Sequence, residues 1–188
     1  MPTQSEFVGA CWQRCKVHFS GRCLSVQGII HQTGQQADRP LGLPMIRAIE
    51  QKDLNPLSEL YVSVFKSHPW NEEWKISWAK ERLDIIMASP RFSGFTFESE
   101  SQILGAVLGT ENSFKGKRQM EIVELFVAPH LQSTGIGSKL LLSIEEHAKR
   151  NGCFYSVLLT SNEVPAFGFY RHNGYIHSKE MAYLTHEL

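Results

Sequence analysis

Long apolar runs are missing from this sequence: no stretch approaches the ~18 consecutive apolar residues that suggest a membrane-spanning helix. A charge of one sign is missing too. Nineteen Lys and Arg offset nineteen Asp and Glu, so nothing in the overall balance points to nucleic acid or an anionic membrane as partner. Cysteine is scarce and badly placed for a disulfide framework. Cys11, Cys15 and Cys23 crowd the N-terminal stretch while Cys153 stands far away, and the default expectation is a reducing cytoplasm. The first residues show no continuous apolar core followed by a small-residue cleavage site, so no secretory signal is expected. Repeats and low-complexity tracts are absent as well. What is present is a hydrophobic fraction of 42% over 188 residues, enough for the full core of one ordinary domain with room for an appendage.

The chain changes character near Met45. Residues 1–44 show no sustained helical or alternating period and are broken by Gly21, Gly28, Gly34, Pro40, Gly42 and Pro44; they read as a poorly ordered N-terminal extension. Cys11, Cys15, His18 and Cys23 are spaced more tightly than common zinc modules, so no metal site is expected there. Four basic against two acidic residues in this stretch leave a transit peptide as a weaker alternative. Residues 45–188 then read as one domain. Strands are predicted at 45–50, 92–98, 102–110, 119–127 and 153–159, and helices at 53–66, 75–88, 135–150 and 164–174. Asp53 is the expected N-cap of the first helix, "ENSFKGKR" a turn, and 175–188 one or two closing strands. Strands in hairpin-like succession, followed by a strand–helix–strand–helix unit, predict an α/β architecture with a mixed sheet and helices on its faces.

The stretch "FVAPHLQSTGIGSKLLLSIEEH" (126–147) ends an apolar strand, sets two glycines two residues apart and opens a long amphipathic helix. Gly135 and Gly137 free the backbone for positive φ and remove the Cβ that would keep a ligand away. The first helical N–H groups lack acceptors and carry the positive end of the dipole, a site suited to a pyrophosphate. Ser133, Thr134 and Ser138 offer hydroxyls. The alternative is a plain strand-to-helix turn. The dinucleotide fingerprint is excluded because position 140 is Leu, and a Walker loop because no Gly-Lys-Ser/Thr follows.

"LFVAPHLQSTGIGSKLL" resembles motif A of the GNAT superfamily of acetyl-CoA-dependent N-acetyltransferases, through Val127, Pro129, Gln132, Gly135 and Gly137. Downstream, "AFGFYRHNGY" (166–175) is similar to the family's motif B. The resemblance, carried also by element order, covers 45–188. It implies the GNAT fold: a mixed sheet splayed between its fourth and fifth strands, with about four flanking helices. It also implies acetyl-CoA as co-substrate. Coenzyme contacts then fall on Leu125, Phe126, Val127, Gln132, Ser133, Thr134, Gly135, Ile136, Gly137, Ser138, Lys139 and Asn162, with an N–H of Phe126 or Val127 aimed at the thioester oxygen. Many members carry a basic residue in the glycine loop where this chain has Ser133-Thr134, so backbone N–H groups bear more of the phosphate, with Lys139 or Arg171 as charged helpers.

Tyr170 matches the motif B tyrosine whose hydroxyl sits near the coenzyme sulfur, with Tyr155 and Tyr175 as decoys. Glu121 and Glu124 are the candidate bases. Their odd separation puts them on opposite faces of a regular strand unless a bulge intervenes, and the choice between them stays open. Cys153 reads as an apolar packing residue rather than a nucleophile. "SHPWNEEWK" supplies Trp70, Glu72, Glu73 and Trp74 at the expected acceptor site, aromatics and carboxylates that suit a cationic amine; the alternative is tryptophans that anchor the helix pair. The "Pro-Trp-Asn-Glu-x-Trp" string is similar to a GNAT subset labelled after aminoglycoside 6′-N-acetyltransferases. The expectation is therefore acetyl transfer to a primary amine of a small cationic molecule such as an aminoglycoside, polyamine or amino acid, by direct attack. A protein or peptide N-acetyltransferase and a non-catalytic acyl-CoA-binding module are the rivals, and a homodimer is possible.

Overall fold

A computed structural model describes residues 43–187; the cysteine cluster at 11–23 and the rest of the expected N-terminal extension lie outside the described residues. Five strands form a single sheet: β1 (Met45–Ala48), β2 (Phe92–Ser99), β3 (Gln102–Phe114), β4 (Lys117–Val127) and β5 (Cys153–Leu158). They lie in that order across the sheet. The first four pair antiparallel, and β4 and β5 pair parallel. Four helices accompany them: α1 (Leu54–Lys66), α2 (Ile76–Met87), α3 (Ile136–Arg150) and α4 (Pro165–His172). This is the mixed α/β architecture expected from the sequence. Among the described residues no helix is long and apolar enough to cross a membrane.

The strands of the hairpins outrun their sequence-based bounds. Most of "ENSFKGKR" is strand, because two residues suffice to reverse the chain. Lys115 (φ 51°) and Gly116 (φ 75°) both take positive φ, the geometry that matches a two-residue loop to the right-handed twist of its strands. Glu100 (φ 51°) and Ser101 (φ 62°) do the same between β2 and β3. Asp53 sits where an N-cap was expected, yet its carboxylate reaches backwards: it accepts from the Glu50 N–H (2.8 Å) and from the Arg47 guanidinium (2.6 and 2.9 Å). No strand forms in 175–187, against expectation, since among the described residues no strand pairs with that segment.

The core has two layers. On one face α1 and α2 pack Leu54, Leu57, Tyr61, Val64, Ala79, Leu83 and Ile86 against Ala106, Leu108 and Phe126 of the sheet. On the other, Leu140, Leu141, Ile144 and Ala148 of α3 cover Val107, Met120, Ile122 and Val127. The 3.6-residue period of α3 delivers this stripe. Phe169 and Tyr170 of α4 pack against the second cluster.

Candidate active site

Pairing between β4 and β5 runs from Arg118↔Cys153 to Ile122↔Leu158 and stops there, while β4 continues to Val127. Among the described residues, the last five residues of β4 therefore have β3 on one side and no strand on the other. The antiparallel ladder tells which N–H groups face that gap. Ala128 donates to the Leu104 carbonyl at 2.8 Å, flanking the Gly105↔Val127 pair. That is the pattern of a non-hydrogen-bonded pair, so the N–H groups of Val127 and, two residues back, Leu125 turn away from β3 into the gap. Phe126 turns its own toward β3, which narrows the oxyanion-facing candidates to Val127 and Leu125.

A bulge sets the carboxylates. Leu108 pairs with Glu124 but Gly109 with Ile122, so Val123 is the extra residue. Glu121 opposes Thr110, and Leu108 and Thr110 share a face of β3. The bulge thus brings Glu121 and Glu124 to the same face, that of α1 and α2. Their surroundings differ. Glu121 Oε2 accepts from Asn112 Nδ2 at 2.6 Å in the fully paired half of the strand. Glu124 is buried in the splayed half, and its Oε1 takes both Nε and Nη2 of Arg82 at 2.6 Å. Burial raises the Glu124 carboxyl above the ordinary carboxylate range, and the Arg82 charge opposes but does not cancel that rise.

Arg82 and Tyr61 are the site residues that sequence reasoning missed. Tyr61 is buried on the apolar stripe of α1. Its hydroxyl lies beside Glu124, and burial followed by that carboxylate holds its proton well above the usual phenol range. Only the i−3 and i+4 relations of Arg82 to Ala79 and Ile86 hinted that its stem was near the core, and no motif marked it. Tyr170 of α4 is half-buried; burial, then the Glu124 charge, pushes its phenol up to about 12. Tyr175 is spent elsewhere, its hydroxyl shared by Ser156 Oγ and Glu145 Oε1 at 2.7 Å each. Tyr155 is exposed on β5. Of the three motif-region tyrosines, Tyr170 is the one within electrostatic reach of Glu124.

The glycine loop opens α3. Gly135 is the N-cap, in the left-handed region at φ 85°, and a Cβ there would meet open space. Ser133 also has positive φ (62°). The first bond back into the helix is Lys139 N–H to Gly135 O at 3.1 Å, which leaves the N–H groups of Ile136, Gly137 and Ser138 without intrahelical acceptors. Gly137 serves packing as well: a Cβ would lie 3.3 Å from the Phe169 ring. Gln132 Nε2 donates to the Val127 carbonyl (3.2 Å) and braces the strand exit. The Thr134 hydroxyl donates to Leu131 O at 2.6 Å, so its proton is committed to the loop. Lys139 is exposed beside the loop, whereas Arg171 Nη1 bonds the Tyr175 carbonyl. Asn162 is exposed in the turn after β5.

The acceptor-side residues divide. Trp74 stands edge-on to Tyr61 (4.9 Å between centroids), which stands edge-on to Phe126 (5.3 Å), while Trp70 leans on Phe65 (5.4 Å). Trp74 Nε1 donates to Glu72 Oε2 at 2.6 Å; Glu73 is exposed. Trp74 also lines an open cleft of about 310 Å³ with Trp78, Glu81, Arg82, Ile85 and Ile86. The same Trp74 thus anchors the helix pair and borders the space from which Arg82 reaches Glu124. Among the described residues no group of three or more His, Cys, Asp or Glu could hold a metal ion.

The acetyltransferase (GNAT) family model matches residues 54–175, which contain the splayed strand, the glycine loop and α4. The chain belongs to the GNAT acetyltransferase family. Solved structures agree on the GNAT fold. An aminoglycoside acetyltransferase from an uncultured soil metagenomic sample, in complex with sisomicin, superposes with TM-score 0.62 at 19% identity, over 77% of this chain and 96% of that one. Aminoglycoside N-acetyltransferase AAC(6′)-Iy in complex with CoA does so with TM-score 0.63 at 14% identity, over 81% and 99%. A possible acetyltransferase from Clostridium difficile 630 gives 0.67 at 12%, over 78% and 99%. At these identities the likeness establishes the GNAT fold alone. Among curated proteins, none matches by sequence.

Proposed function

We propose that this GNAT protein transfers the acetyl group of acetyl-CoA to a primary amine of a small cationic molecule. The observation that carries the reading is the end of β4, where N–H groups of Leu125 and Val127 turn away from β3 beside a buried Glu124, with the open N-terminus of α3 further along the chain; the influence of the Glu124 charge on the Tyr170 phenol supports assigning Tyr170 to the same site. The residues present fit the coenzyme. Gly135 leaves room where a side chain would intrude, and three free helical N–H groups suit a pyrophosphate.

Acetyl-CoA supplies the thioester carbonyl. The Val127 or Leu125 N–H stabilises the oxyanion that develops when the amine attacks. Glu124 takes the proton from the attacking nitrogen. Burial suits it to that task, because a base with an elevated pKa holds the proton more strongly near neutral pH. Its Oε1 is engaged by Arg82, so we assign the proton to Oε2, the oxygen that the guanidinium does not hold. Tyr170, whose phenol keeps its proton through the working range, protonates the departing sulfur as the C–S bond breaks and the N–C bond forms. Glu124 then returns a proton to solvent and Tyr170 recovers one. No covalent acetyl-enzyme is needed.

Trp74 and Trp78, with Glu72, Glu73 and Glu81 nearby in sequence, supply aromatic faces and negative charge for an ammonium group. The aminoglycoside enzymes among the fold neighbours point the same way. The test is thiol release from acetyl-CoA across aminoglycosides, polyamines, amino acids and peptides. Turnover with a cationic small amine supports the reading. Turnover with peptides alone moves it to a protein or peptide N-acetyltransferase, and coenzyme binding without any turnover moves it to a non-catalytic module.

A further inference from the structure

Helix α2 is apolar on two sides. Ala79, Leu83 and Ile86 form the stripe buried against the sheet. Trp78 and Ile85, seven residues apart, form a second stripe, with Glu81 and Arg82 between them at i+3 and i+4. This second stripe is open: Trp78 is 48% and Ile85 66% exposed. Large apolar side chains exposed together on one helix face, rather than scattered singly, call for a partner. Both border the cleft of about 310 Å³ that Trp74 and Ile86 also line. That volume lies at the small end of ligand pockets, which run from about 300 to 1,000 Å³.

The charges around the cleft are few, and most are already engaged. Arg82 reaches from it to Glu124. Trp74 Nε1 holds Glu72 Oε2 at 2.6 Å, and the Glu72 charge helps to raise both the Glu124 carboxyl and the Tyr61 phenol, so Glu72 stands near Glu124. At this end two carboxylates face one guanidinium, and one negative charge is left for an ammonium group to match. Elsewhere the balance is even. Lys75 Nζ lies 4.6 Å from the centre of the Trp78 ring, and Glu81 lines the same cleft. One face of Trp78 is thus taken by the chain's own ammonium, and a second cation on an acceptor would meet Lys75 there. Among the described residues no hydroxyl or amide side chain lines the cleft, and the Trp74 N–H is given to Glu72. A body rich in hydroxyls would lose its hydrogen bonds to water without replacement. A hydrocarbon body would gain by leaving water.

We propose that the acceptor is a monoamine with an apolar body, an arylalkylamine or n-alkylamine, whose nitrogen meets Glu124 and Glu72 and whose body lies in the cleft against Trp78 and Ile85. The proposal rests on the acetyl-transfer reading above and narrows it: one amine per molecule, and hydrocarbon rather than sugar or polyamine behind it. Trp78 and Ile85 set the preference, because they touch the body and not the reacting nitrogen. Lys75 sharpens it by repelling a second charge.

The experiment is thiol release from acetyl-CoA by the full chain with n-alkylamines from propyl to hexyl, phenethylamine, spermidine and kanamycin. The expected result is a kcat/KM that rises by about two- to fourfold for each added methylene, the weight of a CH₂ leaving water partly or wholly. Phenethylamine is expected to exceed spermidine and kanamycin by tenfold or more. Trp78→Ala and Ile85→Ala, checked for folding by circular dichroism, should flatten the rise with chain length. Lys75→Gln should narrow the gap between phenethylamine and spermidine by several-fold. A wild-type series that is flat in chain length overturns the proposal, as does one in which spermidine or kanamycin leads; the acetyl-transfer reading then stands without it. A rise that both alanine variants keep overturns it too, because the body then lies elsewhere. No thiol release with any amine, while calorimetry shows acetyl-CoA bound, removes the acetyl-transfer reading and the proposal with it.

Discussion

The two halves of β4 are the same strand on the same sheet, yet they do different work. From Arg118 to Ile122 it has a neighbour on each side, and Glu121 in that half is tied to Asn112 across the β3–β4 hairpin. From Val123 to Val127 it has β3 alone, and Glu124 in that half is buried against Arg82, Tyr61 and the Tyr170 side. Two glutamates three residues apart share a face only because Val123 is bulged. A carboxylate acquires chemical consequence from what surrounds it: pairing keeps one ordinary, and the gap in the sheet lets the other sit where a thioester can approach.

The largest effects are expected where that contrast is broken directly. Glu124→Gln should lower kcat/KM by about 10²-fold or more, the usual weight of a positioned base, while Glu121→Gln stays within a few-fold. Steady-state kinetics on both variants with one good acceptor measures this, and equal losses would erase the distinction. Tyr170→Phe removes one hydroxyl and little volume. A loss near 10²-fold in kcat with nearly unchanged acetyl-CoA affinity is expected of a general acid, whereas Tyr155→Phe, on the paired and exposed β5, should be nearly silent. A Tyr170→Phe enzyme with wild-type kcat under chemistry-limited conditions removes the acid role.

Next in size is the loop beyond the splay. Gly135→Val places a β-branched residue at φ 85°, where strain of about 1–3 kcal/mol is expected, and puts a side chain in the open space above the helix start. Calorimetry should show acetyl-CoA affinity reduced by tenfold or more in a folded protein. Gly137→Val is a poorer probe, since its side chain also displaces Phe169.

Smaller still is a shift rather than a loss. Glu124 acts as base only when ionised, so activity rises with pH through its folded pKa, which lies above the ordinary carboxylate value. Arg82 works against that elevation. Arg82→Gln should therefore move the acid limb of the kcat/KM profile to higher pH, and Arg82→Lys should restore part of the shift. A limb that stays in place assigns Arg82 to packing. The smallest effect is expected at Cys153, half-buried at the paired end with its thiol pushed up by burial, then by Glu111. Cys153→Ala should leave the kinetics unchanged if the amine attacks directly.

The sequence by itself was enough for the elements, because their causes are local. The apolar stripe of α3 and the Gly135–Gly137 opening are properties of neighbouring residues, and local patterns of this kind placed every helix to within two residues. Motif spacing carried the family. The turns were harder to read. Lys115-Gly116 reverses the chain in two residues, and the polar composition around it hid the strands on either side. Glu121 and Glu124 could not be ranked, since a one-residue bulge depends on how β3 closes against β4 and leaves no mark in the pattern of either strand. Arg82 and Tyr61 were invisible as site residues for a related reason. They meet Glu124 from two different helices, and only packing α1 and α2 on the same face of the sheet brings a guanidinium, a phenol and a carboxylate together. The end of the chain belongs to the tertiary structure in the same way: residues 175–188 had the composition of a strand, but a strand exists only where a partner accepts its hydrogen bonds, and composition does not supply that partner.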